Sequence, residues 1–209
     1  MTDTIDQLSA SANQPYHHGN LRLALINASV DIIRAQGVAG LSLRKLADAV
    51  GVSRTAPYHH FKDKESLLAA VASAGFEELN RLLQALEIND KRPLEEILWQ
   101  SVIGYLNFAI KHDTEYELMF GSALWQNQQQ EEFQRTAKNC FRLYVKLFEQ
   151  LQQEKRINLQ ESPLRLAQIT WASLHGLARL AGDGVFAKKE DIQDIAKTLV
   201  KQLLQTLAP

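Results

Sequence analysis

Arg54, Thr55 and Ala56 bring a guanidinium, a hydroxyl and a methyl group together, and Tyr58 and His59 follow in a stretch without bulky aliphatic side chains. Groups of these types can read base edges in a DNA groove. Arginine fits guanine O6 and N7 bidentately, and small or hydroxylated side chains meet the remaining edges. Solvent or a phosphate would serve Arg54 equally well. Such chemistry needs a scaffold to carry the segment into a groove, and the flanking sequence supplies one. Leu41 to Lys64 reads LSLRKLADAVGVSRTAPYHHFKDK. Ser42 stands where a helix should start, and Leu43, Leu46, Ala47 and Val50 give that helix one apolar face. Gly51 supplies the left-handed turn residue. A second helix is then expected from Arg54, capped by Ser53, with Pro57 tolerated in its first turn. The pattern is a helix-turn-helix, whose second helix offers its first residues to the major groove. Arg44, opening the first helix, is the next candidate for a phosphate. Lys64 begins a further helix beside Asp63, where the unspent N–H groups and the dipole favour anions.

Charge is distributed accordingly. The 209-residue chain has a net charge of only −1. Leu41 to Lys64, however, holds five bases (Arg44, Lys45, Arg54, Lys62, Lys64) against two acids (Asp48, Asp63), so a basic head precedes an acidic body. Cys140 is the single cysteine, which excludes an intrachain disulfide and a cysteine-based metal site. No metal site is expected from His17, His18, His59 and His60 either, because adjacent helical residues point about 100° apart and do not converge on one ion. No cofactor is implied. Neither a nucleophile elbow nor a Gly-rich phosphate loop is present, so an enzyme is not expected. No run is apolar for long enough to span a membrane, and no signal peptide is legible, so the expected location is cytoplasmic.

The fold class expected is all-α. Residues 1–15 are polar and read as a mobile arm. The arm has no Arg or Lys, which argues against minor-groove reading. Residues 16–66 form the helix-turn-helix unit, with Asn20 as the cap of its first helix. Residues 67–90 continue a long helix from Lys64 to about Leu86 and end in a junction before Pro93. Residues 91–209 form the body. Helices are expected there from Pro93 to about His112, Glu131 to Lys155 and Ser162-Pro163 to Ala181, with a last helix on the face Ile192, Ile195, Ala196, Leu199, Val200, Leu203, Leu204 and Leu207. Tyr116 to Trp125 is a short aromatic-rich segment with no assigned element.

Tyr16-His17-His18-Gly19-Asn20-Leu21, Leu43-Arg44-Lys45-Leu46-Ala47, Gly51 to Phe61 and Asp63 to Leu68 together resemble the DNA-binding domain of tetracycline-repressor (TetR) family regulators. More weakly, Trp171-Ala172-Ser173-Leu174-His175-Gly176 resembles the penultimate helix of one subgroup. The resemblance implies a homodimer with a three-helix DNA-binding head and a body for dimerisation and ligand binding. Such a protein represses transcription and leaves its operator when a small molecule binds. It also implies that Tyr58 and His59 contact phosphates and the groove and that Lys64 holds a phosphate. His17 and His18 approach the DNA backbone or serve as surface or capping groups.

Within the body, polar groups at apolar positions point to a ligand pocket, expected from Trp99, Phe108, His112, Met119, Phe120, Trp171 and His175. The dimer interface is expected on the last two helices, through Trp171, Leu174, Ile192, Ile195, Leu199 and Leu203. The partners are thus a palindromic double-stranded operator, a second copy and a small-molecule effector. The alternative is a regulator with the same head and no effector pocket, which a body packed without a cavity would favour.

Overall fold

The computed structural model describes residues 18–86, 88, 92–127, 130–158, 160–185 and 189–207. The N-terminal arm and His17 lie outside these residues. Nine α-helices and no strand occur among them: α1 His18–Gln36, α2 Leu43–Val50, α3 Lys64–Gln84, α4 Leu94–Lys111, α5 Asp113–Phe120, α6 Ser122–Gln126, α7 Glu131–Gln153, α8 Pro163–Gly182 and α9 Lys189–Leu207. None is long and apolar enough to cross a membrane.

Local chemistry sets most of these boundaries. Ser42 has extended backbone, and its hydroxyl accepts the Lys45 N–H at 3.2 Å, starting α2. Gly51 stops α2 at φ 74°, and the Val52 N–H returns to the Ala47 carbonyl. Asp63 and Ser66 form a reciprocal capping box at the start of α3. Ser162 accepts the Arg165 N–H and Pro163 opens α8. Asn20 is not a cap, since α1 already begins at His18. Asparagine is tolerated inside a helix as well as at its start, so its type alone leaves that boundary open. The unassigned aromatic segment forms α5 and α6.

Two apolar cores result. Leu25, Leu41, Leu46, Phe61, Leu67 and Val71 centre the first, formed by α1, α2 and the start of α3. Phe76, Leu79, Leu106, Phe133, Phe148 and Leu151 belong to the second, in the body. α3 contributes to both, so it is a continuous rod between them. α5 packs against α3, α4 and α1 at the join. Gly75 permits the α3–α5 crossing: a Cβ there would stand 2.5 Å from Met119 Sδ and 3.3 Å from Glu115 Cβ. Arg34 of α1 and Asp113 of α5 add an exposed ion pair at 3.6 Å across the same join. Farther along, α8 packs on α4 and α7, and α9 packs on α4.

Candidate nucleic-acid interface and internal cavity

The segment after Gly51 is shorter and tighter than the expected second helix. Arg54 and Thr55 lie in a turn, and only Ala56–His59 is helical, as one 3₁₀ turn. Backbone bonds run from Ala56 N to Ser53 O, Tyr58 N to Thr55 O and His60 N to Pro57 O. Pro57 has no N–H to continue an α-helical ladder, and the segment must reach extended backbone at Asp63. Ser53 does not cap this turn. Its hydroxyl pairs with Thr55 Oγ1 at 3.2 Å, while its carbonyl takes the backbone bond.

Pro57 and Phe61 turn inward, and Arg22 lies over the Phe61 ring at 5.5 Å. Arg54, Thr55, Tyr58 and His59 turn outward. Tyr58 is 57% exposed, so its ring does not serve the core. Arg54 approaches Asp48 at 3.9 Å, both side chains largely in water, a pairing weak enough to yield to a better partner. Arg44 is exposed on α2. At the start of α3 the Asp63 carboxylate takes the Ser66 N–H at 2.8 Å. The N–H groups of Lys64 and Glu65 have no protein acceptor among the described residues. Ala56 is half-buried between the outward side chains. The helix-turn-helix unit therefore exposes two arginines, a phenol and an imidazole, and a half-buried lysine begins its 21-residue third helix. Anionic oxygens satisfy every one of these groups.

The seven expected pocket residues do not form one cavity. Tyr116, His175 and Phe120 make a packed aromatic cluster with Tyr105. The Tyr105 and Tyr116 hydroxyls are 3.0 Å apart, and Tyr116 Oη lies 2.7 Å from His175 Nδ1. The Phe120 ring lies against His175 at 4.4 Å. Burial pushes Tyr116 up to about 12 and Tyr105 higher still. Burial also holds His175 below the ordinary histidine value, helped by the neighbouring Arg179 charge. Phe108 stacks on His112, whose Nδ1 meets Glu115 Oε1 at 3.1 Å. Met119 is sealed beneath Gly75. Trp99 faces an outer groove beside Pro93, Glu96 and Lys197.

A cavity of about 250 Å³ lies elsewhere in the body. Its walls are Leu79, Leu82 and Leu83 from α3, Ala85 and Leu86 just after it, Gln100, Ser101, Ile103, Gly104 and Tyr105 from α4, Tyr144 from α7, and Trp171 and Leu174 from α8. Trp171 is the one expected pocket residue among them. The sequence held one unused signal for the others, a glycine at 104 inside a long helical pattern. Leu174 was expected at the dimer interface, but it is 2% exposed and faces this cavity. Ile192, at 8%, is also spent in its own core, whereas Ile195, Leu199 and Leu203 are half-buried on α9. The outward face of α8 instead carries Ile169, Ala172, Ser173 and Leu180, with Ile169 at 66% exposure.

Residues 25–71 match the family model "Bacterial regulatory proteins, tetR family", and residues 100–203 match "Tetracyclin repressor-like, C-terminal domain". The chain belongs to the tetracycline-repressor family. The tetracycline repressor protein class A from transposon 1721 of Escherichia coli is 46% identical over 50 residues, covering 24% of this chain and 23% of that one. The match thus spans about a quarter of that curated relative's length. A solved protein of unknown function from Rhodococcus sp. RHA1 superposes with TM-score 0.80 at 29% identity, covering 94% of this chain and 100% of that one. A TetR-family transcriptional regulator from Pectobacterium atrosepticum superposes with TM-score 0.67 at 21% identity over 91% and 95% of the two chains, a likeness of fold.

Proposed function

We propose that this protein is a homodimeric, sequence-specific DNA-binding transcriptional regulator, a repressor that leaves a palindromic operator when a small molecule enters its body. The observation that carries the reading is the outward set Arg54, Thr55, Tyr58 and His59, which shortly precedes the N-terminus of α3. Ser53 and Ala56 shape the turn that presents them. Arg54 and Thr55 reach base edges, and Arg44, Tyr58, His59 and Lys64 hold phosphates.

One head makes few contacts, so two heads roughly 34–36 Å apart are needed for useful affinity and for reading a palindrome. Ile169, Ala172, Ser173, Gly176 and Leu180 recur at helical spacing along α8 and supply an isologous face, with Leu199 and Leu203 of α9 as its flank. Release follows from α3. Its last turns wall the cavity and its first residue is Lys64, so a ligand that shifts one end moves the other. The presence of a cavity favours this over a regulator without an effector. The protein is proposed to work in the cytoplasm, with no cofactor.

Operator selection from random DNA, followed by fluorescence anisotropy at several salt concentrations, tests the reading. Arg54→Ala should weaken the selected site by ~1–3 kcal/mol and leave non-specific DNA nearly unaffected. Lys64→Ala should weaken both and reduce the salt slope by about 1. Equal specific affinity in wild type and Arg54→Ala would remove the base-reading role. Ile169→Asp should yield monomers in sedimentation velocity, and a persistent dimer would place the interface elsewhere.

A further inference from the structure

Gly104 sits in the middle of α4, where glycine is a poorer helix former than alanine. A close helix crossing would explain such a residue, as at Gly75. No crossing occurs here, since a Cβ built at Gly104 meets nothing within 4 Å and enters the cavity. The glycine therefore keeps space open. Ser101, one turn earlier, adds a second anomaly. Helix-interior serines here return their hydroxyls to the carbonyl four residues back: Ser29 at 2.7 Å, Ser73 at 2.8 Å and Ser173 at 3.0 Å. Ser101 makes no such bond among the described residues, nor does the Trp171 indole N–H donate to any of them. Among the described residues no charged side chain lines the space.

Resting on the ligand-responsive reading above, we infer that this cavity binds an uncharged, largely apolar aromatic compound, hydrogen-bonded by Ser101 and held in room that Gly104 provides. The described walls are mostly aliphatic and aromatic and offer an ion no opposite charge, only neutral groups such as Ser101 and Gln100, so a charged ligand would lose its hydration with little compensation. Size follows by proportion. An apolar cavity of about 150 Å³ takes benzene, so ~250 Å³ suits one ring with two small substituents. The Trp171 indole, packed edge-on by Tyr144 at 5.3 Å, supplies a fixed aromatic wall.

Three matched probes test this on the full chain by isothermal titration calorimetry: neutral 4-nitrotoluene, anionic 4-nitrobenzoate and cationic 4-nitrobenzylamine. 4-Nitrotoluene should bind one per chain, and both ions at least tenfold more weakly. Gly104→Ala should lower its affinity about threefold and Gly104→Leu at least thirtyfold, while Gly104→Ala melts no lower than wild type. Ser101→Ala should weaken binding without changing the preference for the neutral probe. An ion bound as tightly as 4-nitrotoluene overturns the ligand class. Affinity unchanged in Gly104→Leu overturns the site, and no saturable binding by any probe overturns both. 4-Nitrotoluene that binds as described yet leaves operator affinity unchanged upholds the cavity assignment and counts against ligand-controlled release.

Discussion

Gly75 and Gly104 occupy the interiors of two helices, and the same substitution should have opposite effects at the two positions. Alanine at either site gains about 1 kcal/mol of helix propensity. At Gly104 nothing opposes that gain, so Gly104→Ala should stabilise the chain by about 1 kcal/mol. At Gly75 the new methyl would sit 2.5 Å from Met119 Sδ and 3.2 Å from its Cγ. Met119 is fully buried, so the sulfur can retreat only by displacing its neighbours in the core. Overpacking of this kind costs ~1–3 kcal/mol, which leaves Gly75→Ala destabilised by ~0–2 kcal/mol and separates the two variants by ~1–3 kcal/mol. Urea denaturation followed by far-ultraviolet circular dichroism, with the slope checked for constancy, measures both. The contact itself is isolated by a cycle with Met119→Ala. Met119→Ala should be destabilising, but adding Gly75→Ala to it should then be neutral or stabilising, because only the milder 3.3 Å approach to Glu115 Cβ remains. Equal stability of Gly75→Ala and Gly104→Ala, or an unchanged Gly75→Ala cost without Met119, would refute the crossing argument. The crossing also joins α3 to α5, so Gly75→Ala should alter DNA affinity more than its modest stability change accounts for.

Gly51→Ala forces a Cβ into left-handed backbone and should cost ~1–2 kcal/mol in the same denaturation assay, with no steric clash to relieve. Tyr144→Phe removes the buried 2.9 Å bond to Thr170 and should cost about 1 kcal/mol, because Thr170 keeps its 2.7 Å bond to the Leu166 carbonyl. Below the ordinary histidine value near 6.5 the unfolded chain binds a proton that folded His175 resists, so stability should fall as pH drops from about 6.5. Melting curves from pH 7.5 to 5 should show a smaller loss in His175→Asn than in wild type. An equal loss would assign the acid sensitivity to other groups.

Several features were readable from the chain because one residue and its near neighbours determine them. Ser42, Gly51, Asp63 and Ser162 each end or start a helix through hydrogen bonds or dihedrals that span no more than four residues. Helical period alone also marked the body as all-α. The second helix of the motif is shorter than its residue pattern predicts, because Pro57 interrupts the helical ladder and extended backbone at Asp63 leaves few residues for it. Residue types at 54–59 were informative nevertheless, since polar and basic groups gain little from burial.

Tertiary structure decided what covers each apolar surface. Periodicity shows that α8 is apolar on more than one side, but not that Leu174 faces a cavity while Ile169 faces solvent. That choice depends on where α4 and α7 lie, and no local pattern contains it. The aromatic residues proved equally ambiguous: Tyr105, Tyr116, Phe120 and His175 filled their shared space, and leucines around Gly104 left theirs empty. Sequence by itself determined a helical chain with a groove-reading segment, because caps, turns and charge act over a few residues. The position of the cavity, the exposed stripe on α8 and the continuity of α3 between them are properties of packing, which sums contacts far apart in the chain.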